Sequence, residues 1–181
     1  MRLFALAALT ILIILTTSCA GSSPAPVAVA EYRTTATVKE LMGSVINPNA
    51  EFIWKSVQTT SGDAGLKDKA PSTDEEWADL RRRAVALREA TDLLLIPGRK
   101  AAAAGEKAKD DSELAPEAIQ ALIDKDRAKW VAFSHGMHAT MTEVIKAIDA
   151  KSASGVLDAG GTLDGACESC HQVFWYPEQK K

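Results

Sequence analysis

Cys167-Glu168-Ser169-Cys170-His171 is the stretch of this chain whose residue types and spacing specify a chemistry. On a helix, thiols three residues apart lie one above the other, and the next residue is their neighbour. The order C-x-x-C-H is the signature of c-type haem attachment. Its spacing has a physical reason. The two thiols must reach vinyl groups on adjacent rings of a porphyrin, and the next residue must bring an imidazole under the iron. The expectation is one haem c, held covalently by Cys167 and Cys170, with His171 as proximal iron ligand. Rival chemistries lack partners. A structural zinc site takes about four ligands, and only His135 and His138 could complete one, from a different helix. A thioredoxin-type pair belongs in a βαβ unit, for which there is no strand pattern. A plain disulfide across C-x-x-C would be strained and would leave His171 without a purpose.

The elements that must carry these residues read as helices. After residue 31 no run alternates apolar and polar side chains, and no Asn-Gly or Asp-Gly hairpin joins two such runs. A first helix is expected over Thr35–Ile46, with Val38, Leu41, Met42, Val45 and Ile46 on one face. Asn47-Pro48 interrupts it, Asn47 suiting a cap and Pro48 a first turn. Phe52, Ile53, Trp54 and Val57 continue the apolar face, and 58–71 reads as loop. A second helix starts at the capping box Thr73-Asp74-Glu75-Glu76. Its seam is Trp77, Leu80, Ala84, Leu87, Thr91 and Leu94, and Pro97-Gly98 stops it. Arg81, Arg82, Arg83 and Arg88 lie mostly opposite, as a solvated face.

A polar, alanine-rich loop spans Arg99 to Ala115. A third helix is expected from Pro116 to about Ala150, with Ile119, Ile123, Trp130, Phe133, Met137, Val144 and Ile148 in its stripe and Asp126 as its charged member. The fourth begins near Ser152–Ser154 and ends at Pro177. Its stripe is Val156, Ala159, Leu163, Cys167, Cys170 and Phe174. Gly155, Gly160, Gly161 and Gly165 each weaken that helix by roughly 1 kcal/mol relative to alanine, so close approach of a helix or of a flat ligand is expected there. The predicted fold is all-α, an antiparallel four-helix bundle with its site in the core between facing helices.

The chain has 181 residues, 46% of them hydrophobic and 25% charged, with a formal charge of −3. This suits one globular domain and excludes a fibrous or disordered chain. The absence of a basic excess argues against nucleic-acid binding. The third cysteine, Cys19, has a different setting. Arg2 begins a short positive region, Leu3 to Leu15 is almost wholly apolar, and Thr16-Thr17-Ser18 precede Cys19. Residues 1–18 read as a signal peptide. Leu15-Thr16-Thr17-Ser18-Cys19 resembles a bacterial lipobox, which implies cleavage before Cys19 and a lipid on its thiol. Cleavage near Ala20-Gly21 or Ala25 without lipid is the alternative. Ala20, where an inner-membrane retention signal often has aspartate, favours by resemblance the outer membrane of a Gram-negative bacterium. Residues 19–31 read as a lipidated flexible tether, and 32–181 as the bundle, in an oxidising periplasm.

Taken together, a helical body with Cys167-x-x-Cys170-His171 on its last helix resembles the class II c-type cytochromes, the cytochrome c-prime family. The resemblance covers about residues 32–177. Val38-Lys39-Glu40-Leu41-Met42 and Phe174-Trp175-Tyr176-Pro177 also look like a lipoprotein branch of it. The family usually has basic residues soon after the histidine, and this chain has an aromatic run instead.

The resemblance implies that the first helix supplies the second axial position. Met42 there gives His/Met-ligated iron suited to electron transfer with a redox partner protein. A bulky apolar residue there, Leu41 or Val38, would leave the iron five-coordinate and open to nitric oxide or carbon monoxide. The plainer role of Met42 is core filling. The family also implies a possible homodimer. Trp54, Trp130, Phe133 and Phe174 are placed to pack the porphyrin, Arg33 and Lys39 to meet its propionates, and Trp175 and Tyr176 to cap the end of the bundle. No catalytic dyad, phosphate loop or Ser/His/Asp set stands out, so the chain is not read as an enzyme.

Overall fold

Side chains that accept from first-turn N–H groups mark where most of the helices begin. In the computed structural model, which describes residues 31–62 and 65–176, α1 (Val38–Leu41) starts at a capping box. The Thr37 hydroxyl accepts from the Glu40 N–H, and the Glu40 carboxylate accepts from the Thr37 N–H. The expected signal peptide, Cys19 and nearly all of the tether lie outside the described residues. Beyond Leu41 the backbone does not break at Asn47-Pro48 as expected. It continues as a π-helical segment, Met42–Ile46, and then as α2 (Asn47–Ser56). Pro48 supplies the reason: it has no N–H to donate, and its ring crowds the carbonyl one turn back. A wider turn relieves both, with the Asn47 N–H donating to the Met42 carbonyl. The Asn47 side chain is not a cap. Its amide donates to Glu51 Oε1 at 3.0 Å, while buried Asn49 donates to the Val45 carbonyl at 2.7 Å.

A second correction concerns 58–71. Gln58–Gly62 (β1) pairs antiparallel with Gly65–Lys69 (β2), Gln58 opposite Lys69 and Gly62 opposite Gly65. The pattern was invisible because these strands carry polar residues on both faces, leaving no alternation to read. Thr59 Oγ1 donates to Asp68 Oδ1 at 2.8 Å, and Lys69 Nζ donates to the Lys55 carbonyl at 2.6 Å. A lone hairpin is marginal in water, so that tie to α2 matters.

The capping box at Thr73 is present as expected and opens α3 (Asp74–Leu93), with Glu76 accepting from the N–H groups of Ser72 and Thr73. The third helix is two helices, α4 (Pro116–Lys125) and α5 (Arg127–Asp149). Asp126, expected as a charged member of one long stripe, is the break. Its backbone leaves helical space (φ −128°, ψ 59°), and its side chain accepts from the Lys129 N–H at 3.0 Å. Ser152 caps α6 (Ala153–Phe174) through the Gly155 N–H.

Inward stripes at alternate three- and four-residue steps pack these helices together. On α3, Trp77, Leu80, Ala84, Leu87, Thr91 and then Leu94 are all buried, the seam expected. On α5 the buried line is Trp130, Ser134, Met137, Met141, Val144 and Ile148. α3 packs on α2 and α5, α5 on α6, and α6 back on α2. The last carbonyls of α3 have side-chain donors: Arg99 Nε on Leu93 at 2.7 Å and Trp130 Nε1 on Leu94 at 3.1 Å. These satisfy groups a helix end otherwise leaves orphaned. Thr91, Ser134 and His138 form a small polar network inside. Ser134 donates to the Thr91 carbonyl at 2.7 Å, and His138 Nδ1 lies 3.0 Å from the Thr91 hydroxyl. The described residues are all-α apart from the hairpin, and no helix among them is long and apolar enough to cross a membrane.

Candidate functional site

The inward line of α6 runs Val156, Gly160, Leu163, Cys167, Cys170, Phe174. Four of these six are buried, and the two cysteines are only half-buried. They sit on the core side of the helix and front a cavity. That cavity has a volume of about 540 Å³, within the ordinary range for small-molecule and cofactor sites. Cys167, Cys170 and His171 line it from α6, and Met42 lines it from the start of the π-helical segment. Trp54, Trp130, Phe133 and Phe174 line it too. Trp130 and Phe174 meet edge to face with centroids 5.2 Å apart, and Phe133 meets Phe174 at 6.2 Å.

Both thiols are free and desolvated. Burial pushes Cys167 up to about 11, with help from Asp164, and pushes Cys170 up to about 12, with help from Cys167. At neutral pH they are therefore thiols and not the thiolates that attack disulfides or hold zinc. Among the described residues no three His, Cys, Asp or Glu side chains converge as a ligand set for a bare ion. Cys167 Sγ instead points at Met137 Sδ, 4.0 Å away, a neighbour the sequence reading took for core alone. His135 is exposed, and His138 is engaged with Thr91, so neither joins the cysteines.

His171 is half-buried, and burial lowers its pKa against a smaller opposing effect of Glu168. It is thus held neutral, with lone-pair density for a metal. Among the described residues no hydrogen bond engages either ring nitrogen. Trp175 meets the ring edge to face at 4.8 Å and 87°, and Tyr176 packs on it at 5.9 Å. The two aromatics expected to cap the bundle therefore cover the histidine.

Other expected contacts divide. Val38 lines the cavity, whereas Leu41 is buried in the core and does not. Lys39 lines it and pairs with Glu106 at 2.7 Å. Arg33 is exposed and is not part of the lining. Lys107 and Lys109, which sequence reasoning passed over in the alanine-rich loop, do line it. That loop is joined to the helices that bear the site. The Lys100 and Ala101 carbonyls accept from the Val38 and Lys39 N–H groups at 2.8 and 3.0 Å, and the Leu114 N–H donates to the Trp175 carbonyl at 2.9 Å. The expected reason for the α6 glycines holds at two places. A Cβ at Gly160 would meet the Trp54 ring at 3.4 Å, and one at Gly155 would press on Ser152 and Ala147, while Gly161 and Gly165 have open space.

The donor set is chemically consistent with a flat, covalently held tetrapyrrole. Two reduced thiols and a neutral imidazole lie along one edge of an apolar, aromatic cavity, and a thioether from another element enters the same space. Comparison with protein-family models, with curated proteins and with solved structures finds no match for this chain.

Proposed function

We propose that this protein is an exported monohaem c-type cytochrome that transfers electrons, built as an antiparallel four-helix bundle of the cytochrome c-prime kind. The observation that carries the reading is the shared cavity: Cys167, Cys170 and His171 from α6 and Met42 from the π-helical segment, far apart in sequence, line one space. Cys167 and Cys170 hold haem c through thioether bonds, His171 is the proximal ligand and Met42 the distal one. When bound, the haem supplies a one-electron ferric/ferrous couple. The chain's own part is to set the environment of that couple. A methionine thioether and an apolar surround both raise the potential. Lys107 and Lys109, with Lys39 beside its partner Glu106, are the lining cations that would meet the propionates, on a wall that also carries Glu113, Asp164 and Glu168. The lipobox-like stretch before Cys19 supports a lipid anchor at the periplasmic face of the outer membrane, and electrons pass to or from a redox partner protein.

The test is mass spectrometry of the Cys167–Cys170 peptide from exported protein, with absorption spectra in both oxidation states. A haem adduct on that peptide, lost in the double variant Cys167→Ala/Cys170→Ala, is the expected result. Exported protein without an adduct would overturn the proposal.

A further inference from the structure

The chain just after His171 is folded back onto it. The His171 carbonyl accepts from both the Trp175 and the Tyr176 N–H, at 2.8 and 2.9 Å. The Trp175 bond is the ordinary helical one, the Tyr176 bond is one residue wider, and past this end of α6 both aromatic rings pack on the same imidazole. Trp175 and Tyr176 also pack on each other, with centroids 5.4 Å apart. The tyrosine is anchored further. Its hydroxyl donates to Glu168 Oε2, and the other Glu168 oxygen accepts from Gln172 Nε2 at 2.9 Å. Glu168 lies three residues before His171, the spacing at which helix side chains are neighbours. Its carboxylate is thus within one turn of the imidazole yet committed to Tyr176 and Gln172.

We propose that Trp175 and Tyr176 are positioning residues that fix the ring plane of His171 and keep the Glu168 carboxylate off its outer nitrogen. The proposal rests on the reading of His171 as an axial ligand. A ligating histidine usually has its ring oriented by a hydrogen bond from the second nitrogen to a carboxylate or carbonyl, and that bond makes the imidazole a stronger donor. Here ring contacts supply the orientation, and the Tyr176 hydroxyl withholds the nearby carboxylate. The imidazole stays a weaker donor, which favours the ferrous state.

The experiment is a double-mutant cycle on the holoprotein, reading the reduction potential of the parent, Tyr176→Phe, Glu168→Gln and the double variant. Tyr176→Phe frees Glu168 to accept from the His171 ring, so the potential falls. In the Glu168→Gln background the same change no longer lowers it. An unchanged potential in Tyr176→Phe, or an equal fall in both backgrounds, overturns the proposal. A second measurement addresses orientation. Trp175→Leu broadens the spread of the ferric electron paramagnetic resonance signal as the ring plane loosens, and a signal identical to the parent's overturns that part. Parent protein with no covalent haem defeats the functional reading itself. Parent protein with haem, and potentials that do not respond, defeats only this inference.

Discussion

At the residue scale, Cys167, Cys170 and His171 announce a chemistry by order alone, whereas Met42 does not. A methionine on an apolar helix face is most often filling, and only the cavity distinguishes it. Met42 is half-buried beside open space, while Met141 is fully buried in the core. On the proposed reading, replacing Met42 by alanine is expected to convert a six-coordinate, low-spin ferric spectrum to a high-spin one and to let the ferrous protein bind carbon monoxide rapidly. A high-spin parent, unchanged by Met42→Ala and already avid for carbon monoxide, would transfer the argument to a five-coordinate, gas-binding haem. Met137 and Glu168 show what residue types conceal. One is an ordinary core residue by its stripe and the other an ordinary surface acid, and both acquire meaning from what folds against them.

The element scale is where local rules worked best. A hydroxyl followed three residues later by a glutamate makes a capping box at Thr73, and the same pattern makes another at Thr37. Backbone and side-chain hydrogen bonds from Ser72 and Thr73 hold the Glu76 carboxyl below its ordinary value of 4.5. A carboxylate whose folded pKa is depressed stabilises the native state above its unfolded pKa, and that contribution disappears as pH falls through the folded pKa. Glu76→Gln is therefore expected to lower the melting temperature at neutral pH, with the gap to the parent closing in acid. A gap of equal size at both pH values would show that the charge is not what matters. Element boundaries failed where one residue fits two roles. Asp126 suited the stripe by position but ends one helix and caps the next, and Pro48 bent the ladder into a π-helical turn without ending it.

At the scale of the whole molecule, burial of the helix stripes holds the cavity open beside a close-packed core. Leu163 is fully buried one turn before Cys167. Leu163→Ala is expected to destabilise the fold by about 2–5 kcal/mol, measured by denaturant unfolding, and to loosen the wall that carries the thiols. A loss below about 0.5 kcal/mol would mean that the site collapses without strain. The loop from Arg99 to Ala115 acts at the same scale. Long loops without regular structure are commonly functional, and this one bonds to Val38 and Lys39 at one end and to Trp175 at the other. It joins the two helices that bear the site.

The sequence by itself determined the Cys-x-x-Cys-His spacing, the helical period and most of the inward seams, because these depend on residues within a turn or two of each other. Tertiary structure alone decided that Met42 shares a cavity with His171, that Trp175 and Tyr176 turn back to cover that histidine, and that Lys107 and Lys109 join the lining. Those relations connect residues distant along the chain or past the end of a helix. No local periodicity encodes them, since they arise only when the stripes of separate helices have been buried against one another.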